Sequence, residues 1–463
     1  MFVGRHSELQ KLNDLYNSDK FEFAVIYGRR RVGKTTLINE FIKDKNTIFF
    51  TGLETNSKEN LENFSQSITR LQYGDNASPV FPSFQAAFDA VYELSKQNRV
   101  VLVVDEYPYL AESYRGISSL LQVQIDEKYK NSKLFLILCG SSMSFMENQV
   151  LGYKSPLYGR RTAQFKIQPF SFFETKEYYS GFTSYDLATI YGITGGIPQY
   201  LAQMSDKLTV EDNIKKNFLD ASAYLFEEPS NLLKQEVREP AYYNAIIKAI
   251  ATGSTKNSEI AAKVSLETSA CTGYLKNLIS LGIVKKETPI TEDSARKTIY
   301  VIEDNMFRFW YRFIPNNVSL IQNGMADRTY KKIETQIPDF MGKVFEDICK
   351  QWLWRENASG NLPIEFVELG RWWGNDPIRR QEAEIDILAF EDKNSAIFGE
   401  CKWTNEKVDT IVLDTLIERS HLFHYKNNYL YLFAKTGFTS GCVEKSKSMH
   451  NVTLVTFDEM ANG

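Results

Sequence analysis

The sequence predicts an α/β chain of several domains, and three stretches carry that prediction. "FEFAVIYGRRRVGKTTLINEF" runs an apolar strand (Phe23 to Tyr27) through a glycine-bounded loop into an amphipathic helix beginning near Lys34. "RVVLVVDEYPYL" is an apolar strand that ends in two acids. After Phe340 the pattern reads helix, strand, strand, strand, helix, strand. At 463 residues the chain exceeds what one hydrophobic core usually supports, so roughly two to four domains are expected.

Composition narrows the class without naming a partner. Hydrophobic residues at 43% and charged residues at 24% are ordinary for a globular protein and argue against disorder. The 54 Lys+Arg against 58 Asp+Glu leave a net charge of −4. There is no global attraction to nucleic acid, and any DNA contact must come from a local patch. Cys139, Cys271, Cys349, Cys401 and Cys442 are scattered, odd in number and lack a CxxC pair, which speaks against a disulfide framework and a zinc ribbon. The opening "MFVGRHSELQKLNDLY" has no signal-peptide core, and no apolar stretch approaches the roughly eighteen residues of a membrane span. A soluble, cytoplasmic chain without a membrane partner is expected.

The first stretch fits G-x-x-x-x-G-K-[ST] at Gly28, Gly33, Lys34 and Thr35. In such a loop the backbone N–H groups, here across Arg29, Arg30, Arg31 and Val32, turn inward on phosphates, and the helix N-terminus adds its positive end. Lys34 reaches the terminal phosphate oxygens, Thr35 ligates Mg²⁺, and Thr36 follows in the helix. ATP with Mg²⁺ is therefore the expected cofactor pair. On the second stretch, Asp105 stands where it can hold the Mg²⁺ through water and Glu106 where it can polarise the attacking water. Two acids that merely cap a strand are the bland alternative, and the phosphate loop weighs against it. A third strand, "LFLILCGSS", ends at Ser141, whose hydroxyl could sense the γ-phosphate. Arg160 and Arg161, in a turn before the next strand, either neutralise transition-state charge, in cis or across a subunit interface, or form a solvated pair.

Together "FVGRHSEL", the phosphate loop, "LVVDEYPYL", "GSS", "LYGRR" and "GGIPQYL" resemble the archaeal-type ATPases, a family related to the AAA and STAND (signal-transduction) P-loop ATPases. The likeness covers roughly residues 1–235. It implies that Val3, Gly4 and Arg5 pack by the adenine, that Arg160, with Arg161 second, is the arginine finger, and that Gly196 and Pro198 belong to a helical lid. A homo-oligomer formed through the ATPase domain is compatible with such a finger.

From Pro240 three helices with short turns precede two strand-like segments, "GIVKKETPI" and "ARKTIYVIED", the order of a winged helix-turn-helix. One reading is DNA binding through the helix from about Thr268 to Leu281, with Thr288 to Lys297 as the wing. The other is a packing module that relays nucleotide state. Seven Lys/Arg against five Asp/Glu between Gly253 and Tyr300 are thin support for an autonomous DNA binder. "MFRFWYRFIPNN" is aromatic and basic, and core packing outweighs base stacking for it. Residues from Asn316 to about 334 read as a linker.

In the last segment, period-two alternation puts Glu382, Glu384 and Asp386 on one strand face, with Ile385, Ile387 and Ala389 on the other. On the following strand, in "GECKW", Glu400 and Lys402 share a face while Cys401 points into packing. Asp386 and Glu400 are oxygen ligands suited to Mg²⁺ or Mn²⁺. Lys402 can orient the water, and Glu346 in "VFEDI" can join the metal shell. His421 and His424 are spaced i, i+3 on the expected long helix, as an exposed pair or a phosphate contact. The set resembles the PD-(D/E)xK nuclease fold, a restriction-endonuclease-like αβββαβ domain, whose active-site positions fall on Glu346, Asp386, Glu400 and Lys402.

The expected organisation is a P-loop ATPase core over 1–170, a helical lid over 171–235, a winged helix over 236–315, a linker over 316–334 and a nuclease-like domain over 335–463. Two functions follow: an ATPase that gates a Mg²⁺-dependent DNA nuclease in DNA processing or defence, or a STAND-like switch whose nuclease-like domain only binds DNA or protein.

Overall fold

A computed structural model describes residues 2–74, 79–291, 297–377 and 379–462. The chain divides into two compact units, Met1–Phe170 with Ile197–Gln199, and Ser171–Gly196 with Tyr200–Gly463.

The first unit is built on five strands: β1 (Glu22–Tyr27), β2 (Thr47–Thr51), β3 (Val100–Asp105), β4 (Leu134–Gly140) and β5 (Ala163–Lys166), in the order β2-β3-β4-β1-β5. Every neighbouring pair is parallel. β1, β3 and β4 are buried along their whole length, as parallel strands covered on both faces must be. Period-two alternation divides their side chains between two cores. Phe23, Val25 and Tyr27 join Leu102, Val104 and Leu136 on one face. Ala24 and Ile26 join Val101, Ile137, Leu37 and Phe41 on the other. Burying each of the large side chains stabilises by roughly 1.5–3 kcal/mol. That rigid sheet presents the carboxyl ends of β1, β3 and β4 together, where ligands collect in open α/β folds.

The second unit begins with helices at Phe172–Tyr178, Ser184–Thr194, Val210–Phe218 and Tyr224–Glu236. Three further helices, Pro240–Ala251, Asn257–Lys263 and Thr268–Ser280, lead into an antiparallel ribbon of β6 (Val284–Glu287) and β7 (Ile299–Ile302). Within the expected wing, residues 292–296 lie outside the described residues. Its first part is docked: the Ile290 N–H donates to the Arg371 carbonyl at 3.1 Å, and Ile290 packs against the Trp372, Leu388 and Phe398 cluster.

The aromatic run forms the helix Asn305–Phe313, with Met306, Phe307, Phe309, Tyr311 and Phe313 buried. Phe309 meets Phe218 at 4.9 Å and Phe340 at 5.6 Å between ring centroids. These rings are core, so base stacking is not open to them. The stretch expected to be a linker is instead helical, at Val318–Gln322 and Ala326–Ile333. Its apolar residues Ile321 and Ile333 are buried, and that burial organises the segment as helix.

The final sheet runs β12-β11-β10-β9-β8, from β8 (Glu368–Asp376), β9 (Gln381–Phe390), β10 (Ser395–Lys402), β11 (Asn427–Ala434) and β12 (Val452–Thr456). β8, β9 and β10 form an antiparallel meander, and β10, β11 and β12 are parallel. The long helix Ile337–Ala358 precedes it and the helix Thr410–Ser420 joins β10 to β11. The expected helix, three strands, helix, strand order is present. A helix (Ser440–Lys447), β12 and a last helix (Phe457–Asn462) extend it. The Thr410–Ser420 helix stops one residue before His421, so His421 and His424 do not share a helix face.

Candidate functional sites

In the first unit, Gly28 stands so close to β5's neighbour Ile167 that a Cβ would lie 2.4 Å from the Ile167 carbonyl oxygen. Arg31 and Gly33 take left-handed φ values of 74° and 87°, a backbone that turns N–H groups inward. Lys34 is buried, and its ammonium donates to the Gly28 and Arg29 carbonyls at 2.9 Å each. Burial lowers its pKa, while Cys139, Glu106 and Asp105 oppose that shift. The lysine thus rests on its own loop, where incoming phosphate oxygens would replace the carbonyls. Thr35 is the second residue of the helix Lys34–Ile42, and its hydroxyl donates to Asp105 Oδ2 at 3.0 Å. A threonine hydroxyl and a carboxylate side by side are a donor set that fits Mg²⁺. Thr36 is exposed on the next position. Arg29 and Arg30 are half-buried and Val32 is buried; the Arg30 guanidinium donates to the Tyr109 hydroxyl at 3.0 Å.

Glu106 follows Asp105 in a left-handed conformation, φ 48°. Its N–H donates to Asp105 Oδ1 at 3.0 Å. Ser141, at the end of β4, donates its hydroxyl to Glu106 at 2.9 and 3.1 Å and its N–H at 3.4 Å. Ser141 therefore holds the glutamate rather than pointing at open space. Near the N-terminus Val3 is half-buried and Gly4 buried. The buried Arg5 side chain donates to the Gln168 and Val32 carbonyls and covers the Phe170 ring at 4.7 Å, so it ties the opening segment to the phosphate loop. Arg160 is committed locally. Its Nε donates to both oxygens of Asp126 at 3.0 and 3.1 Å, and its Nη1 to the Pro156 and Tyr158 carbonyls. Arg161 is half-buried, and its charge is felt at Tyr27.

In the second unit, the β9–β10 ladder closes with Gly399 opposite Ile387. A Cβ on Gly399 would lie 2.9 Å from that of Ile387, so the glycine permits the close pairing that carries the next residues. Beyond it the Asp386 carboxylate takes over the ladder's role, accepting the Cys401 N–H at 2.9 Å. Burial, then Glu400, pushes Asp386 up to about 6. Glu400 is buried between two cations, Lys402 at 2.7 Å and Arg419 at 3.2 Å. Burial would lower the Lys402 pKa, but Glu400 and Asp386 outweigh it and raise it. Cys401 faces the core, as do the other four cysteines, all free and buried. Glu346, on the long helix, is raised by burial and by Asp386, against Lys343 at 2.5 Å and Lys350 at 3.9 Å. Glu384 is bound by Arg371.

The acids thus gather as the strand alternation implies, each of Glu346, Glu384 and Glu400 beside a cation. Among the described residues no group of three His, Cys, Asp or Glu side chains is arranged to hold a metal ion. Asp386 and Glu400 fit Mg²⁺ or Mn²⁺ in the kind of donor they offer, but Glu400 already has its countercharges. Sequence reasoning found Lys402 but missed Arg419 beside Glu400, Arg371 beside Glu384 and the lysines beside Glu346. Lys343 and Lys350 were legible as i−3 and i+4 neighbours of Glu346; Arg371 and Arg419 carry no local signal.

Comparison with known proteins bears on both ends of the chain. Residues 2–204 match the family described as an ATPase domain predominantly from Archaea. An uncharacterized protein of Methanocaldococcus jannaschii is 36% identical over 409 residues, which cover 88% of each chain. The chain belongs to the archaeal-type ATPase family. An uncharacterized ATP-binding protein of the same organism is 49% identical over 45 residues, 10% of this chain and 76% of that protein. The Walker-type ATPase PABY2304 of Pyrococcus abyssi superposes with a TM-score of 0.51 at 20% identity, over 67% of this chain and 96% of that one, which establishes a shared P-loop fold. Membership in the archaeal-type ATPases makes the first unit an ATP-binding, ATP-hydrolysing domain. Residues 310–412 match a family described as archaeal and bacterial proteins of unknown function. No helix among the described residues is long and apolar enough to cross a membrane.

Proposed function

We propose that this archaeal-type ATPase couples its nucleotide state to a metal-dependent, DNA-directed nuclease domain of PD-(D/E)xK type at the back of the chain. The observation that carries the reading is the convergence of Glu346, Asp386, Glu400 and Lys402 on a helix and two adjacent strands, with the Glu346 and Asp386 carboxyl groups both raised. In this scheme the ATPase core occupies 1–170, the lid 171–235, a winged helix 236–315 and the nuclease-like domain 335–463. Glu106 orients the water that attacks ATP, Lys34 holds the phosphates, and Thr35 and Asp105 hold Mg²⁺; Arg161 or Arg160 offsets transition-state charge. At the back, Asp386 and Glu400 hold Mg²⁺ or Mn²⁺, and Lys402 keeps a positive charge where charge develops on the scissile phosphate. The metal, when bound, supplies charge neutralisation and a more acidic water.

Packing inside the second unit supports coupling. Gln351, one turn beyond Glu346 on the long helix, accepts the Phe172 N–H and donates to the Tyr191 hydroxyl, both at 2.8 Å. Gly192 faces Met341 and Val344 of the same helix, where a Cβ would stand 2.9 Å from the Met341 sulfur. Trp403, next to Lys402, packs on Phe345 at 5.1 Å and beside Tyr185 at 6.3 Å. The helices read as the lid therefore grip both elements that carry the acids. The winged-helix segment suits a relay: the helix Thr268–Ser280 exposes one lysine, Lys276, on its free face, and its ribbon is docked by Ile290.

The test is incubation of the full chain with Mg²⁺ or Mn²⁺, with and without ATP, on single-stranded, duplex and branched DNA. Cleavage that disappears in Asp386→Ala is the expected result. Absence of cleavage on every substrate would sink the nuclease reading. ATP turnover surviving Lys34→Ala would sink the front-site assignment. The pairing of Glu400 with both Lys402 and Arg419 favours a second reading, a STAND-like switch whose back domain binds DNA or protein without cutting. In that case DNA binding persists while no product forms.

A further inference from the structure

A cavity of about 290 Å³ lies in the second unit, between the β6–β7 ribbon, the aromatic helix and the start of β8. Five cations line it: Lys285, Arg308, Arg312, Lys343 and Arg371. The acids on the same wall are Glu303 and Asp347. Four of the cations have carboxylates behind them. Lys285 pairs with Glu287 at 2.8 Å, Arg312 with Asp339 at 2.6 Å, Lys343 with Glu346 at 2.5 Å, and Arg371 with Glu384.

Arg308 differs. Its Nη1 approaches Asp347 only to 3.9 Å, and its Nε and Nη2 are buried with no hydrogen-bond partner. A buried guanidinium without acceptors costs free energy that a ligand can return. The Nε–Nη2 edge, closed to solvent with the guanidinium over the Phe340 ring, is the fork that grips two oxygens of one oxyanion once the side chain turns toward the cavity. Asp347, the nearest acid, faces the other nitrogen. The remaining wall is aromatic and aliphatic, from Tyr300, Ile250 and Ile302. The volume sits at the small end of ligand pockets, which start near 300 Å³.

We infer that this cavity binds a phosphoryl group, with Arg308 as its bidentate anchor and Arg312 and Arg371 as flanking charges, carried on a small organic body that rests against Tyr300. Several arginines and lysines in one small volume select a multiply charged oxyanion over a carboxylate, and the apolar wall selects an organic phosphate of about mononucleotide size. The site is separate from the phosphate loop, and the inference does not rest on the nuclease reading, because it is read by binding without any cleavage. The phosphoryl group can come from free phosphate compounds or from the end of a nucleic acid strand.

The measurement is isothermal calorimetry on the full chain carrying Lys34→Ala, which silences the phosphate loop. Inorganic phosphate and a 5′-phosphorylated thymidine dinucleotide are the two probes. Saturable binding of at least one is expected, weakened roughly tenfold or more by Arg308→Gln, the range for a lost charged hydrogen bond, and severalfold by Arg312→Gln. Stronger uptake of the dinucleotide identifies a nucleic acid end as the source; equal or stronger uptake of inorganic phosphate identifies a free phosphate compound. Arg312 is at the more open rim, so its variant decides the matter if Arg308→Gln melts early. No binding of either probe, or binding that both substitutions leave unchanged, overturns the inference.

Discussion

Replacing Asp386 by asparagine is expected to stabilise the second unit at neutral pH. The Asp386 carboxyl is pushed up to about 6 from an ordinary 3.8, by burial first and by Glu400 second; the Cys401 N–H and Lys402 reduce the shift without cancelling it. A group whose folded pKa lies above its unfolded one is protonated in both states below pH 3.8, where it costs nothing. It is ionised in both above about 6, where the cost is full. The interval from 3.8 to about 6, at about 1.36 kcal/mol per pH unit, corresponds to about 3 kcal/mol. Asparagine removes the charge and keeps an oxygen for the Cys401 N–H. Asp386→Asn should therefore gain about 2–3 kcal/mol at pH 7.5 and almost nothing at pH 4, read from amide exchange in β9 and β10 and from the melting transition. Mg²⁺ should narrow the gap by stabilising the wild-type chain alone. A destabilisation of equal size at both pH values would refute the reasoning, because Asp386 would then act only as a shaped acceptor for the backbone.

Three further outcomes are expected. Glu106→Gln should keep ATP affinity within a few-fold while slowing turnover by roughly 10²–10⁴, the usual contribution of a general base; fluorescent-nucleotide titration beside a phosphate-release assay checks it, and lost binding would count against the role. Arg160→Ala should lower the melting temperature of the first unit, since it removes the larger of the two cation contacts, Arg160 ahead of Lys130, that hold the Asp126 pKa down, whereas Arg161→Ala should lower kcat with little change in melting; the opposite pattern in paired calorimetry and turnover would return the finger to Arg160. Gly399→Ala should cost about 1–3 kcal/mol by overpacking, since its Cβ would meet Ile387 at 2.9 Å, and a denaturation midpoint equal to that of wild type would put the β9–β10 register in doubt.

The first unit was legible because its chemistry is local. A phosphate loop needs its glycines, lysine and threonine within eight positions, and β1, β3 and β4 are apolar on both faces, so period and length alone identify them. The strand acids Asp386 and Glu400 were legible for the same reason, since alternation fixes a face. What stayed hidden is set by partners distant in sequence. Arg160 looks like a free arginine until the helix Ile117–Glu127 brings Asp126 to it. Ser141 reads as a phosphate sensor from its place at the end of a strand, and its bond to Glu106, 35 residues earlier, carries no sequence signal. The 316–334 stretch is anchored by buried Ile321, Thr329 and Ile333 and by the Lys215–Asp327 pair, a partner about a hundred residues away that no local pattern announces. The helix carrying Leu416 ends at Ser420 because backbone bonds from His421 and Leu422 already close the last turn, which no histidine spacing could reveal.

Charge placement explains why the near-neutral middle segment still matters. Lys285 and Glu287 on the ribbon, Arg371 on β8 and Glu384 on β9 form one chain of ion pairs, with Arg371 lying 3.9 Å from Glu287 and bound to Glu384. Burial would raise the Glu287 pKa, but Lys285 outweighs it and keeps the carboxyl below the usual range, so the chain stays charged in a poorly solvated place. Partly buried pairs of this kind lose more when one member is removed than they contribute when intact. Shifting the ribbon away from β8 would therefore leave Arg371 with Glu384 alone and change the field at the acid edge where Asp386 sits. The ribbon is thus held to β8 twice, by the Ile290 N–H on the Arg371 carbonyl and by the Glu287–Arg371 pair. The small excess of positive charge in that segment lies on its surface, since Lys256, Lys263, Lys276, Lys286 and Lys297 are exposed and Lys285 is the half-buried lysine that serves as a countercharge to Glu287.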